Sequence, residues 1–338
     1  MRIPMAKKVL AKAFENNFKV MLIGPPGCGK SAIIEQVCQE KKIDYLIVNC
    51  AHMDPTDING LPIRTGEKTA DFAVFSDLQK LTEAKKPLVA VFEEIAQATP
   101  AVQAALMQVW HPGIIGGKKI SKHTNLVACG NRASDKSAAR PILEALKSRC
   151  DTILSLDVML EDWEDWALVN NIDARGIAFL RFTARGGRNF LNDWQPTNEV
   201  TNSPCPRSVV NAFKWMEVVD GEALYECVKG AAGEAFATEL IGFLEVYERM
   251  PDPEECIKNP ERVTIPDAAK EPAIVYALTG AVGRLATQDN FANVILFSDR
   301  LPREFQVLLM RDAVKVNPSV CKTEAFRNWV IENKDLVD

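Results

Sequence analysis

A chain of 338 residues, 47% hydrophobic and 25% charged, can bury a substantial core and has room for two packed domains, which excludes a largely disordered protein. Its formal net charge of −5 argues against a broad basic surface for nucleic acid, and no apolar run approaches the ~18 residues of a membrane span. Nine cysteines scattered singly, with no C-x-x-C pair, and only three histidines (His52, His111 and His123) give no basis for a disulfide framework or a zinc site, so the expected setting is a reducing one, the cytoplasm.

The first stretch, through Asn17, spreads Arg2, Lys7, Lys8, Lys12 and Glu15 along its length and runs directly into an apolar segment, so no removable leader is expected there. From that point strand and helix signals alternate. Short Val/Ile/Leu-rich runs at 19–23, 45–49, 88–92, 126–129 and 152–156 are predicted strands of a parallel sheet, buried on both faces, with helices such as 31–41 and 101–110 between them. Two segments interrupt the alternation. Residues 61–75, with Gly66 at a turn, and 112–121, with the Gly116-Gly117 pair, are predicted β-hairpins, because adjacent glycines supply the positive φ that a tight hairpin turn needs. After Asp157 the pattern becomes helical, at 161–170, 208–219, 233–247, 274–286 and 303–313, with a Pro- and acid-rich solvated connection expected over 251–272. The expected division is an α/β domain over 1–158, carrying both hairpins, and a helical lid and C-terminal region over 159–338.

Directly after the first strand comes Gly24-Pro25-Pro26-Gly27-Cys28-Gly29-Lys30-Ser31, which fits G-x-x-x-x-G-K-[ST]. Glycines let the backbone turn so that its N–H groups converge on phosphate oxygens, and the following helix adds its N-terminal dipole. Lys30 is the expected partner of the β- and γ-phosphates of ATP, and the Ser31 hydroxyl an expected Mg²⁺ ligand. Cys28 contributes backbone to this loop and is read as a small buried filler rather than a redox group.

The third predicted strand ends in Glu93-Glu94. Two carboxylates delivered beside a phosphate loop suit a nucleotide hydrolase, Glu93 holding Mg²⁺ and Glu94 orienting or deprotonating the attacking water; the bland alternative is a solvated strand end. Most such enzymes carry Asp at the first position, and Glu93 is one methylene longer. The fourth strand ends in Gly130-Asn131, where Asn131 either holds the attacking water with Glu94 or forms a plain turn.

With these elements in order the chain resembles the AAA+ superfamily and, within it, the MoxR-like ATPases. The resemblance extends over nearly the whole chain, through Asp54-Pro55-Thr56-Asp57-Ile58-Asn59-Gly60, Phe92-Glu93-Glu94-Ile95, Gln103-Ala104-Ala105-Leu106-Met107, the segment from Leu143 to Arg149, Asp162-Trp163-Glu164-Asp165-Trp166-Ala167, Pro206-Arg207-Ser208 and Arg300-Leu301-Pro302-Arg303-Glu304-Phe305. It implies a P-loop NTPase fold, a five-stranded parallel sheet with helices on both faces followed by an all-α lid. It also implies Lys30 and Ser31 as Walker A, Glu93 and Glu94 as Walker B, Asn131 as sensor 1, Arg149 as a finger acting on a neighbouring subunit's ATP, and Arg207 as sensor 2. Arg132 and Arg140 compete with Arg149 for the finger. A forked, permanently charged guanidinium suits the charge that spreads over a transferring phosphoryl group, although an Arg at a helix end also serves as a plain dipole partner.

The function that the resemblance implies is chaperone-like remodelling by an ATP-hydrolysing ring, a hexamer of this chain, acting on a client or adaptor that often carries a von Willebrand factor A-type domain. Two other readings stand beside it. One is a nucleotide-gated scaffold with little hydrolysis, which the longer Glu93 supports. The other is a DNA-acting motor, which the acidic balance opposes and for which Lys118, Lys119 and Lys122 beside the second hairpin could form a small basic tip; the favoured reading of those lysines is protection of a solvated hairpin edge.

Overall fold

The computed structural model describes residues 1–132, 135, 140–195 and 200–334. It divides into two units, one holding Met1–Met159 with Trp194, the other Leu160–Asp193 and the described residues after 199.

In the first unit, helix α1 (Ile3–Glu15) opens with proline in its first turn and buries Ala6, Leu10, Ala13 and Phe14, one helical stripe. There follow β1 (Val20–Ile23), α2 (Lys30–Lys41), β2 (Asp44–Asn49), α3 (Pro55–Asn59), β3 (Leu61–Arg64), β4 (Ala70–Ala73), α4 (Ser76–Glu83), β5 (Leu88–Glu93), α5 (Pro100–Trp110), β6 (Ile114–Ile115), β7 (Lys118–Lys119), β8 (Thr124–Gly130), α6 (Glu144–Lys147) and β9 (Thr152–Ser155). Among the described residues five strands form one parallel sheet in the order β2-β5-β8-β1-β9, the P-loop α/β arrangement expected of the sequence.

Burial within that sheet is uneven. All seven residues of the central strand β8 are buried. The edge strands β2 and β9 are not covered on both faces, as their apolar composition had suggested: Tyr45, Ile47 and Ile153 are exposed. A short Val/Ile/Leu run reports that a strand is apolar and says nothing of its place in the strand order. Phe92 of β5 meets Trp110 of α5 edge to face at 4.9 Å and anchors a core that also takes in Leu106, Ile115 and Leu146.

Both hairpins form. β3 and β4 pair antiparallel from Leu61↔Ala73 to Arg64↔Ala70, and every residue of the two strands is exposed. β6 and β7 are joined by Gly116 (φ 52°) and Gly117 (φ 76°). A Cβ at Gly116 would lie 2.1 Å from Val74 Cγ2, so both backbone conformation and space demand glycine there.

The second unit is helical: α7 (Leu160–Val169), α8 (Ala174–Arg185), α9 (Pro206–Trp215), α10 (Gly221–Ala232), α11 (Glu234–Tyr247), α12 (Pro253–Lys258), α13 (Pro272–Leu285), α14 (Phe291–Ser298), α15 (Arg303–Val316) and α16 (Glu324–Glu332). Phe179 of α8 packs on Phe190 at 5.6 Å and on Phe236 at 5.3 Å, while Phe291, Phe297, Phe305 and Trp329 belong to a second apolar cluster. The 251–272 stretch is not a plain solvated connection. Asp252 accepts from Glu254 N at 3.0 Å and Pro253 starts α12, which buries Cys256 and Ile257, so its acid and proline open a helix.

The most buried charges of this unit form one network. Arg181 of α8 grips Asp312 of α15 with two hydrogen bonds, Nη1 to Oδ2 at 2.6 Å and Nη2 to Oδ1 at 2.8 Å, and its Nε lies 3.3 Å from Glu164 Oε1 on α7. Arg311 closes the group by pairing with Glu164. Burial works against the Arg181 charge, but Asp312 and then Glu164 outweigh it and hold its pKa above the ordinary arginine value.

Candidate functional site

The loop from Gly24 to Gly29 joins β1 to α2. Gly27 (φ 68°) and Gly29 (φ 91°) take left-handed backbone, and a Cβ at Gly29 would meet nothing within 4 Å. Glycine is therefore required at 29 by conformation, and its open side is where a ligand can approach the backbone. Gly29 caps α2 without a side-chain hydrogen bond, and no acidic residue stands in the first turn. The amides of that turn thus retain their capacity for an anion. Cys28 is buried beneath the loop, its Sγ 3.0 Å from where a Gly24 Cβ would lie. Burial pushes the Cys28 thiol pKa up, which keeps it protonated and agrees with its reading as a filler.

Lys30 turns back over the loop. Its Nζ donates to Asn131 Oδ1 at 2.8 Å and to the carbonyls of Gly24 and Pro25, each at 3.0 Å. Asn131, buried at 8% exposure, follows directly on β8, whose Gly130 is in register with Ile23 of β1. Sheet pairing thereby brings together two residues a hundred positions apart. Glu93 ends β5, the neighbour of β8 on the other side, in register with Asn49. Glu94 then leaves the strand with φ 56°, unusual for a residue with a Cβ, and its carbonyl accepts from Gln97 N at 2.8 Å and Ala98 N at 3.3 Å. The Cys50 thiol pKa is pushed up to about 12 by burial first and by Glu93 and Glu94 next, a sign of how closely that core borders the carboxylates.

Lys30, Asn131, Glu93 and Glu94 thus stand at the carboxyl ends of three adjacent parallel strands, where open α/β sheets place ligands. Ser31 opens the same helix as Lys30 and is exposed. A lysine ammonium, uncapped helix amides and an open glycine suit a polyphosphate; a serine hydroxyl and a carboxylate suit Mg²⁺, which is content with few protein ligands. Among the described residues, no group of three or more His, Cys, Asp or Glu side chains could hold a metal on its own. No described helix is long and apolar enough to cross a membrane.

The arginines separate. Arg132 donates to Leu156 O and pairs with Asp157 Oδ1 at 3.0 Å, so its charge is used within its own unit. Arg140 is exposed, and its backbone N–H donates to Ala96 O at 2.6 Å. Arg149 precedes β9, whose Thr152 pairs with Val20 at the start of β1, so it sits at the end of the sheet opposite Lys30. The helix before it is only Glu144–Lys147, because Leu143 is extended (φ −57°, ψ 131°) and its N–H bonds elsewhere. Arg207 is exposed in the first turn of α9, in the helical unit.

Lys30→Ala is expected to leave the fold intact and to weaken nucleotide binding by roughly 10–100-fold or more, the ~1.5–3 kcal/mol scale of a charged hydrogen bond. Titration of a fluorescent ATP analogue checks it; a folded variant with unchanged affinity would remove the phosphate-loop reading.

The sequence model for the AAA domain (dynein-related subfamily) matches residues 19–150, which carry this whole site except Arg207. No curated protein matches the chain significantly. Among solved structures the chain is similar to the Thermotoga maritima RuvB Holliday junction branch migration motor, with 15% identity over 83% of this chain and 80% of that one and a TM-score of 0.43. A mutant of the same RuvB matches with 16% identity over 86% of this chain and 84% of that one, at a TM-score of 0.43.

Proposed function

We propose that this chain, through the AAA domain at residues 19–150, binds ATP with Mg²⁺ and hydrolyses it as a MoxR-like ring that remodels a partner protein. The observation that carries the reading is the juxtaposition of Lys30 and Asn131 at 2.8 Å, with Glu93 and Glu94 at the end of the next strand over from β8. Lys30 and the α2 amides take the phosphate charge. Ser31 and Glu93 would hold Mg²⁺, which when bound neutralises charge on the phosphate oxygens. Glu94 receives the proton of the attacking water, and Asn131 orients that water. Arg149 completes the site of a neighbouring copy, because it stands at the far end of the sheet from its own Lys30; Arg207 is assigned to the γ-phosphate in the same scheme. The ring is taken as a hexamer and its client or adaptor as a protein with a von Willebrand factor A-type domain, both on resemblance.

Mixing variants tests the arrangement. Arg149→Ala should bind ATP nearly normally and hydrolyse it at least about tenfold more slowly, since a cation arriving from outside counts most when charge spreads in the transition state. Lys30→Ala should also be inactive. Mixed, the two should recover part of the wild-type rate, and specific activity should rise with protein concentration. Co-assembly without recovery, or full activity in a strict monomer, would overturn the trans role of Arg149.

A DNA-acting motor is the second reading, favoured by the exposed Lys118, Lys119 and Lys122 at the β6–β7 hairpin. Duplex binding that falls steeply with salt would support it over remodelling. A nucleotide-gated scaffold is the third, and steady-state turnover separates it from both.

A further inference from the structure

Gln103, on α5, is 1% exposed, and the two residues it bonds are part of the apolar core or packed against it, Ala98 within the cluster and Leu143 on it. Both ends of its amide are engaged: Nε2 donates to Ala98 O at 3.3 Å, and Oε1 accepts from Leu143 N at 2.9 Å. A donor on one side and an acceptor on the other fix the amide orientation. The two partners belong to different functional segments. Ala98 ends the turn that Glu94 begins, its own N–H donating to Glu94 O at 3.3 Å. Leu143 leads into α6 and so to Arg149. A second tie, Arg140 N to Ala96 O at 2.6 Å, runs between the same two segments. A buried polar group is costly unless satisfied and retains one arrangement when it is, so this side chain holds the two segments in fixed relation.

We propose that Gln103 is a positioning residue that fastens the turn bearing Glu94 to the segment bearing Arg149, so that the state of one subunit's site sets the arginine it presents to the next. This rests on the ring reading above, and the test separates the two. Rings are mixed from Arg149→Ala subunits, which bind ATP and donate no arginine, and Lys30→Ala subunits, which are kept below their weakened ATP affinity and donate one. Adding Gln103→Leu to the Lys30→Ala subunit places the change only in a copy that performs no hydrolysis. The recovered rate should drop at least fivefold, with the affinity of the Arg149→Ala subunit for a non-hydrolysable ATP analogue and the extent of co-assembly unchanged. Leu143→Pro in the same subunit removes the same hydrogen bond from the other side, and the φ of −57° at Leu143 already suits proline. It should give the same drop and decides the matter if Gln103→Leu does not fold. Recovery equal to that with Lys30→Ala alone would overturn the positioning role while leaving the ring intact. Failure of Lys30→Ala itself to recover activity would overturn the ring reading, and this proposal with it.

Discussion

Glu94→Gln is expected to bind ATP with Mg²⁺ at wild-type affinity and to turn it over ~10²-fold or more slowly, the scale of a lost acid–base group. The substitution keeps the shape of the side chain and removes only its capacity to take a proton. The backbone around it is set by Ile95 N to Cys129 O at 3.0 Å and by the turn through Ala98, neither of which involves the Glu94 carboxylate, so the fold should not move. Glu93→Asp is the companion: it restores the commoner carboxylate reach and should keep or raise the rate. Single-turnover hydrolysis with saturating ATP gives both numbers. Wild-type turnover by Glu94→Gln would assign proton transfer to another group.

Asp312→Ala is expected to cost the helical unit about 3–5 kcal/mol, the penalty for stranding a buried charge whose partner has been removed. Asp312 is fully buried and receives both Arg181 hydrogen bonds, and Glu164, the remaining acid of the network, is shared with Arg311. Adding Arg181→Met to Asp312→Ala should recover part of the loss, because a buried ion pair is worth far less than the cost of breaking it from one side. Denaturant midpoints at constant m-value would show both effects. A loss below about 1 kcal/mol would mean that the pair is replaceable by water or by rearrangement.

The candidate site was legible in the sequence wherever chemistry and chain order coincide. Eight contiguous residues encode the phosphate loop, Glu93-Glu94 and Asn131 each follow a strand signal directly, and paired glycines announce the second hairpin. What stayed hidden depends on tertiary neighbours. Helix α1 was missed because its charges distract from the Ala6–Leu10–Ala13–Phe14 stripe, and the exposure of β2 and β9 follows from strand order alone. The pairing of Arg132, a competitor of Arg149 for the finger, with Asp157 is also invisible in the sequence. Glu164, Arg181 and Asp312 lie on three helices with no spacing to link them, and Gln103 reads as one residue of an ordinary amphipathic helix.

The three hydrogen bonds that hold Lys30 have a kinetic and energetic meaning. Its ammonium has already exchanged much of its water for protein dipoles, so an incoming phosphate would not need to strip that hydration and would instead compete with two backbone carbonyls and an amide oxygen. Neutral acceptors are thereby traded for a charged one, a favourable swap made without reorganising the backbone. A phosphate that took the lysine from Asn131 would release that amide as it arrived. On the function proposed above, substrate entry would itself unlatch the group that orients the attacking water, and the resting protein would keep that group engaged with its own lysine.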